Sequence, residues 1–259
     1  MSAHAGEIGV QMVPFKNMLY VKDQDRYFPE DEIPTGAQTA DVSGTQLREL
    51  LASGKDIPQW YSYPEVVSEL RKAYPPNSKK GMVIFFTGLP SSGKSTLANA
   101  LVMRLMEIDS RRITLLDGDV VRKNLTAELG FSRQDRATQV RRVGFIAAEI
   151  AKHGGTVICA LIAPYVEDRQ INREAISQTA EYIEVFVNTP VKVCEVRDPK
   201  GLYAKARSGL IKGFTGVDDP YEAPTKPEID VAMGDLTVER GVEQITSYLS
   251  SRGFITQEG

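Results

Sequence analysis

The sequence predicts an α/β fold: a mostly parallel sheet flanked by helices, with a small appendage at the N-terminus. From about residue 81 onward, short apolar runs rich in β-branched residues alternate with helical patterns, as in sheets covered on both faces. Pro75 and Pro76 open a polar stretch that ends the preceding helical pattern. The segment before them holds two short amphipathic patterns and no catalytic constellation. We therefore expect two domains, residues 1–78 and 79–259.

Each element follows from its apolar pattern. In the appendage, Ser43 or Thr45 can cap a short helix that contains three leucines, and a second helix is predicted at about 64–73. In the larger domain, the patterns predict strands at 81–86, 112–117, 156–163, 182–188 and 228–233, and helices at 96–108, 141–153 and 239–253.

Composition excludes several classes of protein. The net charge of −3 and the pI near 5.6 argue against a nucleic-acid binder. The chain has no apolar run long enough to cross a bilayer, and its N-terminus lacks the layout of a signal peptide, so we expect a cytoplasmic protein without membrane contact. Cys159 and Cys194 read as packing residues rather than a redox pair. His4 and His153 are too few for a three-histidine zinc site.

The stretch GLPSSGKST, residues 88–96, fits the pattern G-x-x-x-x-G-K-[ST], called the P-loop. Its glycines let backbone N–H groups surround phosphates, its lysine neutralises their charge, and the next hydroxyl binds Mg²⁺. A predicted strand precedes it and a predicted helix follows, which is the order that phosphate binding at a helix N-terminus requires. The alternative is an ordinary Gly/Ser-rich turn. We expect nucleotide contacts from Gly88, Ser91, Ser92, Gly93, Lys94, Ser95 and Thr96.

Two acids end the strand in LLDGDVVR. An acid at the carboxyl end of a parallel strand faces the crevice where ligands bind. Asp119 is therefore a candidate to orient Mg²⁺ or to accept the proton of an attacking hydroxyl, with Asp117 in support. The alternative is that Asp119 caps the helix that follows.

Aromatic and basic residues cluster further on. GFSRQDRATQVRR places Phe131 among four arginines, a composition that suits a planar base with an anionic group. The alternative is a helix with a solvated basic face. The segment 197–224 is long, basic and rich in glycine, which is typical of a lid or of a solvated loop. Its candidates for closing over phosphates and a base are Lys200, Lys205, Arg207, Lys212 and Phe214.

These segments occur in the order and spacing of one family. The P-loop, LDGDVVR, LGFSRQDR, IAPY, RDPKGLYAKAR and GFTGVDDPYEAP together closely resemble adenylyl-sulfate kinase (APS kinase), from about residue 81 to the C-terminus. The resemblance implies a P-loop kinase that uses ATP and Mg²⁺. It would transfer the γ-phosphoryl group to the 3′-hydroxyl of adenosine 5′-phosphosulfate (APS), giving 3′-phosphoadenylyl sulfate (PAPS) in sulfate assimilation.

The resemblance also implies roles for individual residues. Lys94 and Asp119 would be catalytic, with Asp119 facing the 3′-hydroxyl, and Ser95 would hold Mg²⁺. Arg122 and Arg136 would bind the phosphosulfate, while Phe131 and Phe214 would stack on opposite faces of the adenine. The implied set of APS-binding residues is Asp119, Arg122, Phe131, Arg136, Gln139, Ile162, Lys200, Gly213 and Phe214.

Two positions depart from the family pattern. Gln139 stands where the family often has Asn, so the amide is kept on a longer arm. Ala163 stands where many members have Ser, and without that hydroxyl no phosphoserine can form there. We therefore expect direct in-line transfer.

The N-terminal segment resembles the C-terminal end of ATP sulfurylase, which precedes the kinase in bifunctional proteins. The sulfurylase motifs Q-x-R-N and H-x-x-H are absent from the chain, so we expect no sulfurylase activity. A homodimer and an association with an ATP sulfurylase are further expectations. Two alternatives are an inactive module that binds PAPS for regulation, and a P-loop kinase for another small acceptor.

Overall fold

A computed structural model of the protein describes residues 15–108 and 112–255. The chain divides between Pro75 and Pro76 into two compact units. His4 and the rest of the extreme N-terminus lie outside the described residues. Within the described ranges, no helix is both long and apolar enough to cross a membrane.

The smaller unit combines a sheet with two helices. Strands β1 (Met18–Val21), β2 (Arg26–Pro29) and β3 (Thr39–Ala40) pair antiparallel in the order β2-β1-β3. Helices α1 (Gly44–Ser53) and α2 (Pro64–Ala73) follow as the sequence predicts. Of the two predicted caps for α1, Ser43 is the one used, and Gln46 completes a capping box.

Aromatic rings pack against the small sheet. The Trp60 ring stacks on Tyr20 with centroids 4.6 Å apart, and Tyr61 meets Trp60 edge-on at 6.1 Å. Tyr63, in contrast, is 78% exposed. Trp60 and Tyr61 therefore form part of the packing of this unit.

The larger unit is built on a five-stranded sheet. Its strands are β4 (Met82–Thr87), β5 (Ile113–Asp117), β6 (Thr156–Ala160), β7 (Glu181–Val187) and β8 (Ile229–Val231). They lie in the order β5-β6-β4-β7-β8, and every pairing is parallel. The predicted fold class is confirmed.

Seven α-helices accompany this sheet in the described part of the larger unit. They are α3 (Lys94–Ile108), α4 (Gly118–Asn124), α5 (Arg133–Lys152), α6 (Val166–Ile176), α7 (Val191–Arg197), α8 (Leu202–Arg207) and α9 (Val238–Ser251). Alternate residues of β4 enter different cores: Ile84 and Phe86 pack with α3 and α9, whereas Val83 and Phe85 pack with α5. This alternation is what a strand covered on both faces requires.

One strand ends earlier than the sequence predicts. The apolar run 156–163 suggests a strand to Ala163, but β6 stops at Ala160. Ala163 has a φ of +43°, in the left-handed region that interrupts a strand. The Ile162 carbonyl instead accepts from the Gly88 N–H at 3.3 Å. The chain therefore turns across the end of β4, which is where the P-loop begins.

Candidate active site

The P-loop begins at the carboxyl end of the central strand β4. Gly88 has a φ of +155°, and a Cβ there would lie 2.7 Å from the Val187 carbonyl oxygen. Gly93 has a φ of +105°, and Ser91 takes a φ of +59°. The two glycines allow backbone angles and a close approach that other residues resist. The predicted order of strand, glycine-rich loop and helix is present.

Lys94 is folded back over this loop. Its ammonium donates to the carbonyls of Gly88 at 3.0 Å and Leu89 at 2.6 Å, and to the Ser92 hydroxyl at 3.3 Å. Burial lowers the pKa of Lys94 from 10.5 to about 8. The side chain is still mostly a cation at neutral pH, buried against the loop that the sequence assigns to phosphates.

Asp117 joins the P-loop to the turn after β5. One carboxylate oxygen accepts from the Ser95 hydroxyl at 2.6 Å, and the other accepts from the Asp119 N–H at 3.0 Å. Asp117 is thus the residue that caps α4, and capping is not the role of Asp119. The capping alternative for Asp119 was therefore wrong.

Asp119 forms an ion pair with Lys200. Both side chains are more than half exposed. Lys200 lies in a turn between α7 and α8, where the Asp198 carboxylate accepts from the N–H groups of Leu202 and Ala204 at 2.8 and 3.1 Å. The turn therefore brings Lys200, a basic residue of the segment 197–224, against Asp119, which lies two residues after the end of β5.

Arg122, Phe131 and Gln139 form one contact group beside that acid. The Arg122 guanidinium carbon lies 4.6 Å from the centroid of the Phe131 ring, and Arg122 also donates to the Gln139 side-chain oxygen. Phe131 is 67% exposed, whereas Gln139 is buried. The exposed ring, backed by a cation, offers a stacking surface.

Arg136 is occupied by contacts within the chain. Its guanidinium donates to the Phe131 carbonyl at 2.9 Å, to the Asp219 carboxylate at 3.2 Å, and to the Gly213 carbonyl and Thr215 hydroxyl. Burial is the main cause that lowers the pKa of Arg122, and the positive charge of Arg136 lowers it further.

Phe214 lies in a small core away from solvent. It is 9% exposed and meets Tyr203 edge-on with centroids 5.0 Å apart. Leu89 of the P-loop packs against the same cluster, and the Tyr203 hydroxyl donates to the Pro90 carbonyl at 3.1 Å. The ring that sequence reasoning assigns to a base therefore packs on protein here, and its stacking on adenine stays a prediction.

Several residues with a part in this site were missed by sequence reasoning. Arg197 donates to the carbonyls of Ser92 at 3.3 Å and Met233 at 2.7 Å, and Thr189 donates to the Ser92 carbonyl at 2.8 Å. Asp219 accepts from the Tyr165 hydroxyl at 3.0 Å. The available signal was the position of Arg197 within RDPKGLY, but these long-range contacts leave no periodic pattern.

The residues present fit a nucleotide with Mg²⁺. Ser95 and Asp117 bring a hydroxyl and a carboxylate together at the start of α3, and oxygen ligands suit this cation. Among the described residues, no group of three or more His, Cys, Asp or Glu side chains could hold a metal alone.

Comparison with known proteins gives the family. The family model described as Adenylylsulphate kinase matches residues 80–232, which is more than half of the chain. The chain belongs to the adenylylsulphate kinase family. A second model, ATP-sulfurylase, matches residues 1–73. The adenylylsulphate kinase match spans the P-loop and the acids and arginines described above.

Curated relatives include sulfate adenylyltransferases of fungi. That of Coccidioides immitis (strain RS) is 49% identical over 249 residues, which are 96% of this chain and 44% of the relative. That of Aspergillus oryzae is 48% identical over 248 residues, 96% of this chain and 43% of the relative. The chain thus spans less than half the length of these relatives.

Solved structures of adenylylsulphate kinases are also similar. The hexameric APS kinase from Thiobacillus denitrificans is 38% identical with a TM-score of 0.70, covering 99% of this chain and 46% of that one. The Mycobacterium tuberculosis APS kinase CysC, in complex with AMPPNP and APS, is 39% identical with a TM-score of 0.63. It covers 66% of this chain and 98% of its own.

Proposed function

We propose that this chain transfers the γ-phosphoryl group of ATP to the 3′-hydroxyl of APS, giving PAPS and ADP. The observation that carries the proposal is the direct connection between the phosphate-binding loop and the acid at the end of β5. Ser95, Asp117 and Asp119 are linked by two hydrogen bonds. The relative that was solved with AMPPNP and APS supports the choice of nucleotide and acceptor.

In the proposed reaction, the 3′-oxygen of APS attacks the γ-phosphorus and the bond from that phosphorus to the β–γ bridging oxygen breaks, so that ADP leaves. The P-loop amides and the Lys94 ammonium hold the phosphates. Ser95 and Asp117 would hold Mg²⁺, which neutralises phosphate charge when bound. Because phosphoryl transfer depends mainly on positioning and charge, proton acceptance by Asp119 is a secondary contribution.

The acceptor side is assigned to the second contact group. Phe131 would stack on the adenine of APS, Arg122 and Arg136 would provide positive charge for the phosphosulfate, and Gln139 would orient Arg122. Lys200 and Gly213 would belong to the closing segment, and Ile162 to the pocket wall. Ala163 has no hydroxyl to carry a phosphoryl group, so transfer is direct.

We propose that residues 79–259 form the kinase domain, and that the sulfurylase-like part, residues 1–78, adds no sulfurylase activity to this 259-residue chain. The support is the absence of Q-x-R-N and H-x-x-H from the sequence. A homodimer and an association with a sulfurylase also stay predictions, which light scattering with and without an added ATP sulfurylase would measure.

The test is a coupled assay of ADP release with ATP and Mg²⁺, comparing APS with AMP and adenosine as acceptors. We expect turnover with APS that the substitution Lys94→Ala abolishes. Turnover with AMP or adenosine but not with APS would assign a different acceptor. Absence of ADP with all three acceptors, together with binding of PAPS, would replace the kinase with a regulatory module.

A further inference from the structure

The segment 197–224, called here the lid segment, is joined near its C-terminal end to the loop after β6. The Glu222 N–H donates to the Pro164 carbonyl at 2.8 Å. In return, the Val166 N–H donates to the Glu222 carboxylate at 2.8 Å. The two segments are thus paired at the residues that follow Ile162, the predicted wall of the acceptor pocket.

Arg169, on the first turn of α6, binds both partners at this junction. One guanidinium nitrogen donates to the Ala163 carbonyl at 2.7 Å, and the other terminal nitrogen donates to the Glu222 carbonyl at 2.7 Å. Arg169 is 3% exposed. A planar guanidinium with fixed donor directions is suited to hold two carbonyls in one geometry.

Glu184 fixes the orientation of this guanidinium. Its carboxylate lies 2.9 Å from the remaining nitrogen of Arg169, and both side chains are less than a tenth exposed. Buried charges need a partner and hydrogen bonds to be tolerated. Because Glu184 lies within strand β7, the central sheet determines where Arg169 points.

The same junction reaches the start of the P-loop. The Thr87 hydroxyl donates to the Ile162 carbonyl at 2.7 Å and lies 2.9 Å from the Tyr221 hydroxyl. Thr87 ends β4, and Gly88 follows it. The acceptor-side loop, the end of the lid segment and the base of the P-loop are therefore connected through short, mostly buried contacts.

We propose that Arg169 is a positioning residue for the acceptor: it holds Ala163 and Glu222 together, and so sets Ile162 and the fixed end of the lid segment. It does not touch the reacting atoms in this scheme. The expected effect on APS rests on the proposed function, whereas the effect on the junction does not.

The test compares two lysine substitutions. In Arg169→Lys, an ammonium can still pair with Glu184 but cannot hold both carbonyls. The control is Arg173→Lys, because Arg173 belongs to the same charge network through Glu228 at 2.7 and 2.8 Å and Glu184 at 3.4 Å. Two readouts are used: hydrogen exchange in segments 161–166 and 219–224, and the separate KM values for APS and ATP.

For Arg169→Lys we expect faster exchange in both segments and a KM for APS raised about tenfold or more, as for a lost hydrogen bond to a charged group. The KM for ATP should change less than about twofold. Arg173→Lys should change each KM, and the exchange rates in both segments, by less than about twofold. Unchanged exchange in Arg169→Lys, or an equal effect in Arg173→Lys, would overturn the proposal. Equal rises of the KM for APS and the KM for ATP would also overturn the proposal.

If the wild-type protein shows no turnover with APS, the proposed function fails, and exchange alone then decides the role of Arg169. If Arg169→Lys does not fold, Glu222→Ala replaces it, since Glu222 is partly exposed. Glu222→Ala removes the carboxylate that accepts from the Val166 N–H, whereas Glu222→Gln keeps a side-chain oxygen that can accept this hydrogen bond. Faster exchange at 161–166 in the alanine variant alone supports the junction, and equal exchange in both variants contradicts it.

Discussion

Replacing Lys94 with methionine removes a buried ammonium group while keeping a long apolar side chain. In the folded protein the pKa of Lys94 falls from 10.5 to about 8, a difference worth roughly 3 kcal/mol. The unfolded chain binds this proton more tightly than the folded one. Below pH 8, the buried ammonium therefore destabilises the folded wild-type protein by the full amount. This destabilisation disappears as the pH rises from 8 through 10.5.

The measurable quantity is the difference in free energy of unfolding between the variant and the wild type. We expect this difference to fall by roughly 3 kcal/mol between pH 7 and pH 10.5, because the wild type gains stability and the variant lacks the titrating group. Contributions that do not depend on pH, such as lost contacts to Gly88 and Leu89, cancel in that change.

Urea unfolding followed by far-UV circular dichroism is the suitable assay. Trp60, the one tryptophan of the chain, lies in the smaller unit, so its fluorescence does not report directly on the P-loop. Lys212→Met is the matched control, because it replaces an exposed lysine instead of a buried one. A difference for Lys94→Met that stays constant within about 1 kcal/mol would refute the assignment of a destabilised ammonium.

The remaining predictions concern ligands and packing. Nucleotide affinity should weaken above about pH 8, where Lys94 loses its proton, as titration calorimetry across pH would show. Phe131→Ala should raise the KM for APS about tenfold, the value of one stacked base. Asp119→Asn should lower kcat by up to about a hundredfold without changing the KM for ATP. Gly81→Ala should destabilise the larger unit by about 3 kcal/mol or more, because its Cβ would lie 1.8 Å from the Ala151 carbonyl oxygen.

Three of these four predictions have a contrasting variant or outcome. Phe131→Tyr should keep the KM for APS, and a normal KM in the alanine variant would remove the stacking role. Gly209→Ala meets no atom within 4 Å, so it should cost only about 1 kcal/mol for its positive φ. An equal loss of Tm in the two glycine variants would show that contact with α5 is unimportant. Affinity for ATP that is flat from pH 7 to 9.5 would contradict the lysine titration.

Local sequence signals were sufficient for the central sheet and the P-loop. Strands β4 and β6 are buried along their whole length, and burial on both faces gives them a nearly continuous apolar pattern. The P-loop is recognisable because glycine spacing, lysine and hydroxyl belong to one short stretch. Asp119 was proposed as a candidate from its position just after a predicted strand, where ligands bind in parallel sheets.

The parts that could not be predicted depend on long-range contacts or on very short elements. Strands β1 to β3 have only four, four and two residues, too few to show alternation. Phe214 follows a glycine in a polar segment, so nothing local indicates that it packs on Tyr203. Arg169 and Glu184 lie on different elements, and neither position marks the other as a partner.

The burial of both cysteines makes the chain suitable for site-specific labelling. Cys159 and Cys194 are each 0% exposed, and burial raises the pKa of both thiols, so a thiol-reactive dye meets little of the reactive thiolate. A cysteine introduced at Leu210, which is 78% exposed, would carry the label on the lid segment. The anisotropy of such a dye would follow the order of that segment as ATP and APS are added in turn.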